Sequence, residues 1–194
     1  MLRNGVTCII LAGGLGKRMG DKNKALIPFE NSTLIEHAIQ SIQPQVDEII
    51  ISANQDLSHL SKLGFPVIED QTKNQGPLIG IISAADHINT TTVVITPCDV
   101  INIPKDYVQK MVSALESTKA DIVVAKTNKR AQHLNCAFKL ELMDNLKRII
   151  EKKTRRVSTW QAQLTRAYVD FDGSQKHPLK NLNEPRDIYE ALQS

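Results

Sequence analysis

The sequence predicts a three-layer α/β/α sandwich built on a mainly parallel sheet. Apolar, β-branched runs recur at residues 6–11 (VTCIIL), 48–52 (EIIIS) and 92–96 (TVVIT). Their apolarity is continuous rather than alternating, as it is in strands covered on both faces. Segments with helical spacing separate them, so the order strand, helix, strand repeats, and ligands are expected at the carboxyl ends of the strands.

The first strand, 6–11, is far too short to span a bilayer and runs into glycines rather than a small-residue cleavage site. Leu34, Ala38 and Ile42 follow the cap candidates Ser32 and Thr33 at helical spacing, and strand 48–52 comes next. Residues 66–69 form a shorter strand candidate, and Pro77 suits a helix start. After strand 92–96, Val108, Met111, Val112 and Leu115 define a helix beyond Pro104, and 121–125 is a fifth strand. The second half reads as a strand at 135–140, helices at 142–152 and 158–164, a strand at 167–171 and a helix after Pro185. No Pro-, Gly- or Ser-rich linker divides the chain, so 1–194 is expected as one domain, with 131–172 an elaboration that covers the far side of a site.

Composition narrows the function. With 41% hydrophobic and 23% charged residues, the chain has ordinary globular usage and no disordered character. Twenty-four Lys and Arg against 21 Asp and Glu give only +3, which offers no nucleic-acid footprint, so any phosphate binding must come from local clusters. Cys8, Cys98 and Cys136 form no C-x-x-C pair, which excludes the usual zinc and dithiol patterns and fits a reducing cytoplasm. A soluble cytoplasmic protein without nucleic-acid or membrane partners is expected.

The strongest local signal is residues 11–20, LAGGLGKRMG, placed directly after the first strand, with Lys24 four residues on. Glycines let backbone N–H groups approach phosphate oxygens, and successive N–H groups in a turn form an anion-binding concavity. Lys17 is not followed by the Ser or Thr of a Walker loop, and Met19 stands where a dinucleotide fingerprint needs its third glycine. What remains is a glycine turn with Lys17, Arg18 and Lys24, where Arg18 can fork a phosphate and Lys24 can act as a point charge. A tight turn with solvated basic residues is the plainer alternative.

Two carboxylates end strands. Asp99, in TPCDV at 96–100, is delivered to the carboxyl end of the fourth strand, where it could hold Mg²⁺, an ion that needs only one or two carboxylates beside phosphates and water. A helix cap or turn before Pro104 is the alternative. Asp70 ends 67–70 and precedes NQGPLIG at 74–80; it suits hydrogen bonds to a base or sugar, or a turn before the helix at Pro77.

Together, LAGG at 11–14, RMG at 18–20, KAL at 24–26, ED at 69–70, GPLIG at 76–80, PCD at 97–99, RRV at 155–157, VDF at 169–171 and NLNEP at 181–185 resemble the molybdenum cofactor guanylyltransferase family over nearly the whole chain. The first block is shared loosely with sugar and polyol-phosphate nucleotidyltransferases, whereas the double glycine, PCD and N-x-N-x-P narrow the match. The resemblance implies a Rossmann-like fold of nucleotidyltransferase type, with a nucleotide-binding half at 1–125 and a molybdopterin-binding half at 126–194. It implies GTP contacts at Leu11, Ala12, Gly13, Gly14, Lys24, Ser52, Asp70 and Asp99, with Arg18, Lys24 and Asp99 catalytic and Mg²⁺ on Asp99. Molybdopterin contacts fall at Arg155, Arg156, Asn181 and Asn183. Transient contact with molybdoenzymes or other cofactor-biosynthesis proteins fits the same role. Two departures are visible: Ser52 where family members often have Asn, and Leu134 after His133 where His-Pro is common.

The implied reaction is attack by the terminal phosphate of molybdopterin on the α-phosphorus of GTP, with pyrophosphate leaving. An ionised phosphate needs no general base, which agrees with five histidines scattered without ligand spacing. The run 147–156 carries six cations against one anion, mostly a solvated helix face, and Trp160 falls at core spacing with Val157 and Leu164. Two alternatives stay open: a cytidylyltransferase acting on molybdopterin or a polyol phosphate, and a non-catalytic nucleotide-binding adaptor.

Overall fold

A computed structural model of the chain describes residues 2–16, 22–72 and 75–193. The long apolar runs become strands of one seven-stranded sheet: β1 (Arg3–Leu11), β2 (Glu48–Ser52), β3 (Val67–Ile68), β4 (Thr90–Pro97), β5 (Ile122–Thr127), β6 (Arg130–Lys139) and β7 (Arg166–Asp170). Their order across the sheet is β3-β2-β1-β4-β6-β5-β7. β1 pairs parallel with β2 (Cys8 opposite Ile49) and with β4 (Cys8 opposite Val94), β2 with β3, and β5 with β7. β6 alone in this sheet runs antiparallel to both neighbours, Cys136 opposite Ile95 on one side and Ile122 opposite Phe138 on the other.

Helices α1 (Leu34–Ile42), α2 (Leu57–Leu60) and α4 (Tyr107–Thr118) cover one face, and α3 (Pro77–Ala84), α5 (Met143–Glu151) and α6 (Val157–Gln161) the other. The period of two along β1 divides its side chains accordingly: Cys8 and Ile10 pack with α1 and α4, Ile9 with α3. Both faces are therefore apolar, which is why the strand runs lack alternation. α7 (Pro185–Leu192) leans Ile188 and Ala191 on a smaller cluster of Phe29, Leu34, Ile101 and Leu182.

Residues 131–172, expected as an elaboration, supply most of β6 and all of β7 to the central sheet, together with α5 and α6. The strand expected at 135–140 begins at Arg130, because its polar start pairs with β5 although it lacks an apolar pattern. The helix expected at 158–164 runs from Val157 to Gln161, and the strand at 66–69 contracts to Val67–Ile68. Among the described residues no helix is long and apolar enough to cross a membrane.

Two local devices bring distant segments to the carboxyl ends of the strands. Leu15–Gly16 pairs antiparallel with Lys22–Asn23, so the chain returns beside the glycine turn just before Lys24. Val100–Ile101 pairs antiparallel with Lys180–Asn181, and Leu182 N–H donates to Asp99 O at 2.9 Å, which ties the chain around Asn183 to the end of β4.

Candidate active site

The carboxyl ends of β1 to β4, the amino-terminal half of β6 and the 181–183 segment surround one cavity of about 630 Å³. Leu11, Gly13 and Gly14 line it from β1, Asp70 from β3, and Asp99 from β4. The glycine turn and the carboxylate after Cys98 thus face a single space, the arrangement a triphosphate with its metal requires.

At the centre, Lys24 Nζ is paired with Asp99 Oδ2 and donates to Asn183 Oδ1 at 3.1 Å. Lys24 is placed by Asn23, whose Oδ1 accepts from Ala25 N–H at 3.1 Å while its Nδ2 donates to Asp56 Oδ2 at 2.9 Å. The other carboxylate oxygen, Asp99 Oδ1, is buried and has no hydrogen-bond partner among the described residues. A bare buried carboxylate oxygen is costly unless something fills its coordination, and a divalent cation does so. No group of three or more His, Cys, Asp or Glu side chains able to hold a metal occurs among the described residues. The donor set therefore fits an ion that takes one protein carboxylate and completes its shell with phosphate and water. Next door, burial and then the Asp99 carboxylate push the Cys98 thiol far up, so it stays protonated and is no nucleophile.

At the β3 end, Asp70 is held rather than free. Asn54 Nδ2 donates to Asp70 Oδ2 at 2.7 Å, Asp70 N–H donates to Asn54 Oδ1 at 3.2 Å, and Ser52 Oγ donates to Asp70 Oδ1 at 3.3 Å. Gly80, on the second turn of α3, lets the helix approach this group: a Cβ there would collide with Ser52 Oγ and lie 3.1 Å from Asp70 Oδ1. Gly76, at φ 91°, forms the left-handed entry to α3 ahead of Pro77.

The opposite wall carries three amides and an imidazole. Gln132, His133 and Asn135 of β6 line it with Asn181. Asn181 Nδ2 donates to Gln132 Oε1 at 3.2 Å, and Thr96 Oγ1 donates to Asn135 Oδ1 at 3.0 Å in the buried layer behind.

Of the residues expected from sequence, the structure brings Leu11, Gly13, Gly14, Lys24, Ser52, Asp70, Asp99, Asn181 and Asn183 to this cavity. Ala12 is buried just behind it, its N–H donating to Ser52 O at 2.8 Å. Arg18, with Lys17, lies outside the described residues. Arg155 and Arg156 do not line the cavity: the Arg155 guanidinium donates to the carbonyls of Ile150 and Thr154, and Arg156 is exposed at the start of α6. Trp160 is core, donating to Asn145 Oδ1 at 3.1 Å and edge-on to Phe138. Sequence reasoning missed Asn54, Gln132, His133 and Asn135. Only the position of Asn54, just past a strand end, could have flagged it.

The profile of the MobA-like NTP transferase domain matches residues 8–185. A molybdenum cofactor guanylyltransferase from Shewanella sediminis is 36% identical over 93% of this chain and 92% of its own length, and one from Shewanella halifaxensis is 37% identical over 93% and 90%. Among solved structures, molybdopterin-guanine dinucleotide biosynthesis protein A from Archaeoglobus fulgidus superposes with a TM-score of 0.77 at 22% identity, covering 96% of this chain and 97% of that one. A Mycobacterium tuberculosis protein in complex with manganese gives 0.72 at 15% identity, over 98% and 100%. Those structural likenesses show the fold, while the profile spans both the glycine turn and the 181–185 segment that closes on Asp99; this chain belongs to the MobA-like NTP transferase family.

Proposed function

We propose that the chain transfers GMP from GTP to the terminal phosphate of molybdopterin with Mg²⁺, releasing pyrophosphate. The observation that carries this reading is the Asp99 carboxylate: one oxygen faces Lys24, the other is buried without a hydrogen-bond partner among the described residues, and both sit across one cavity from the glycine turn. Its curated relatives at 36–37% identity are named for guanylyl transfer.

Each group has a physical task. Gly13 and Gly14 offer backbone N–H groups at the end of β1 for phosphate oxygens. Lys24 brings a positive charge that Asn183 and Asp99 hold in place before substrate arrives, so little reorganisation is needed when charge develops on the triphosphate. Asp99 would hold the metal, and a divalent cation there would supply Lewis-acid polarisation of the α-phosphate. Asp70, gripped by Asn54 and Ser52, is placed to receive N–H groups of the base. The attacking phosphate is ionised at neutral pH, so positioning and charge stabilisation suffice without a general base. In this reading residues 1–125 bind nucleotide and 126–194 bind molybdopterin, with Asn181 and Asn183 on the molybdopterin side and Arg155 and Arg156 further out than the cavity wall.

The test is pyrophosphate release by the purified protein with molybdopterin, Mg²⁺ and each of the four common nucleoside triphosphates in turn. GTP alone should support turnover. Turnover with CTP and not GTP would replace the guanylyl assignment by a cytidylyl one. Binding of GTP and molybdopterin without any dinucleotide would make the protein an adaptor.

A further inference from the structure

His133 lines the cavity from β6, and its imidazole is gripped from behind by Gln161 of α6. Gln161 is fully buried and meets residue 133 twice: its Nε2 donates to His133 O at 2.9 Å, and its Oε1 lies 2.6 Å from His133 Nδ1. A backbone carbonyl only accepts hydrogen bonds, so the Gln161 amide is oriented with Nε2 toward it and Oε1 toward the ring. The proton on the imidazole must then sit on Nδ1. In the neutral ring Nε2 carries a lone pair, and it has no hydrogen-bond partner among the described residues.

A bare nitrogen lone pair discriminates. It repels a phosphate oxygen, which is itself an acceptor, and it accepts a ring N–H or amino N–H. Guanine and pterin both present an amino-oxo edge with such donors, so two separate acceptors are needed if both rings are bound. Asp70 is one, at the end of β3; β6 lies four strand positions away across the sheet, roughly 19 Å at the usual spacing. We infer that His133 is a specificity-determining residue for the second substrate: fixed by Gln161, it offers Nε2 as a hydrogen-bond acceptor to an N–H of the pterin ring, with Gln161 as its positioning residue. This inference rests on the function proposed above.

His133→Asn separates the two roles of the ring, because the asparagine Nδ2 can still donate to Gln161 whereas nothing replaces Nε2. The KM for molybdopterin should rise about tenfold, with the KM for GTP and kcat within about twofold. An unchanged molybdopterin KM, or an equal rise in the GTP KM, overturns the assignment. If the wild-type protein makes no dinucleotide, the proposed function fails first and is seen to fail separately.

Nitrogen-15 NMR of histidine-labelled wild-type protein reads the tautomer without any variant. His133 should show protonated Nδ1 and bare Nε2, and molybdopterin should shift the Nε2 signal while inorganic phosphate leaves it in place. An Nε2–H tautomer, or a phosphate-induced shift, overturns the proposal. Gln161→Met should let the Nε2–H tautomer appear; an unaltered tautomer removes Gln161 from the positioning role.

Discussion

Lys24 Nζ faces Asp99 Oδ2 across the carboxyl end of β4, and the pairing leaves Asp99 Oδ1 buried without a partner among the described residues. The ammonium and a metal ion would share one carboxylate, so the charge on Asp99 matters more than its shape. Asp99→Asn keeps the volume and removes the charge. Pyrophosphate release should fall by about 10²- to 10⁴-fold in kcat/KM, with circular dichroism unchanged. Activity within tenfold of wild type would take the metal role away from Asp99.

Asn54 holds Asp70 through both its amide oxygen and its amide nitrogen. Asn54→Ala deletes one charge-assisted and one neutral hydrogen bond and leaves the carboxylate held only by the 3.3 Å bond from Ser52 Oγ. The expected result is a rise in the KM for GTP of about 10- to 100-fold, from a loss of roughly 1.5–3 kcal/mol, with kcat changed by no more than about threefold. Measured KM and kcat decide it: a collapse of kcat at constant KM would place Asp70 in the chemical step instead.

The sheet was legible because its strands are buried on both faces: residues 6–11, 48–52 and 92–96 have the continuous apolarity that two helical layers demand. β6 was half legible. Its buried end, from Asn135, reads as a strand, but residues 130–134 carry no apolar pattern, and Gln132, His133 and Leu134 among them face the cavity. The site divides in the same way. Glycines after a strand and a carboxylate at a strand end announce themselves by position, so Gly13, Gly14, Asp70 and Asp99 could be named from the chain alone. Asn54, Gln132 and His133 act through partners 16, 49 and 28 residues away, and an amide or imidazole carries no spacing rule that reveals such a partner.

The amino-terminal cap of α1 should make stability depend on pH. Thr33 Oγ1 and N–H both donate to Glu36 Oε2, at 2.6 and 2.8 Å, and these bonds hold the Glu36 carboxyl below its ordinary value. Because the folded pKa is the lower one, the unfolded chain takes up the proton first as the pH falls. The contribution is complete above the unfolded glutamate pKa and disappears as the pH drops through the folded value. Thr33→Val should lower the unfolding free energy in urea by about 1 kcal/mol near neutral pH. The gap to wild type should narrow in acid; a gap that stays constant with pH would mean that the ionised Glu36 adds nothing to the cap.

Gly80 tests whether helix α3 must approach the Asp70 group closely. In an ordinary helix interior, Gly to Ala stabilises by about 1 kcal/mol. Here the added Cβ collides with Ser52 Oγ and sits 3.1 Å from Asp70 Oδ1, so the hydroxyl must swing away from the carboxylate or the helix must move out. Gly80→Ala should therefore lose stability rather than gain it and raise the KM for GTP several-fold. Ser52→Ala removes the obstructing hydroxyl at the cost of one hydrogen bond to Asp70. Added to Gly80→Ala, it should cost less than it does alone, giving a favourable coupling of at least about 0.5 kcal/mol in a double-mutant cycle read by urea denaturation. Strictly additive changes would show that the helix, not the hydroxyl, yields to the new methyl group.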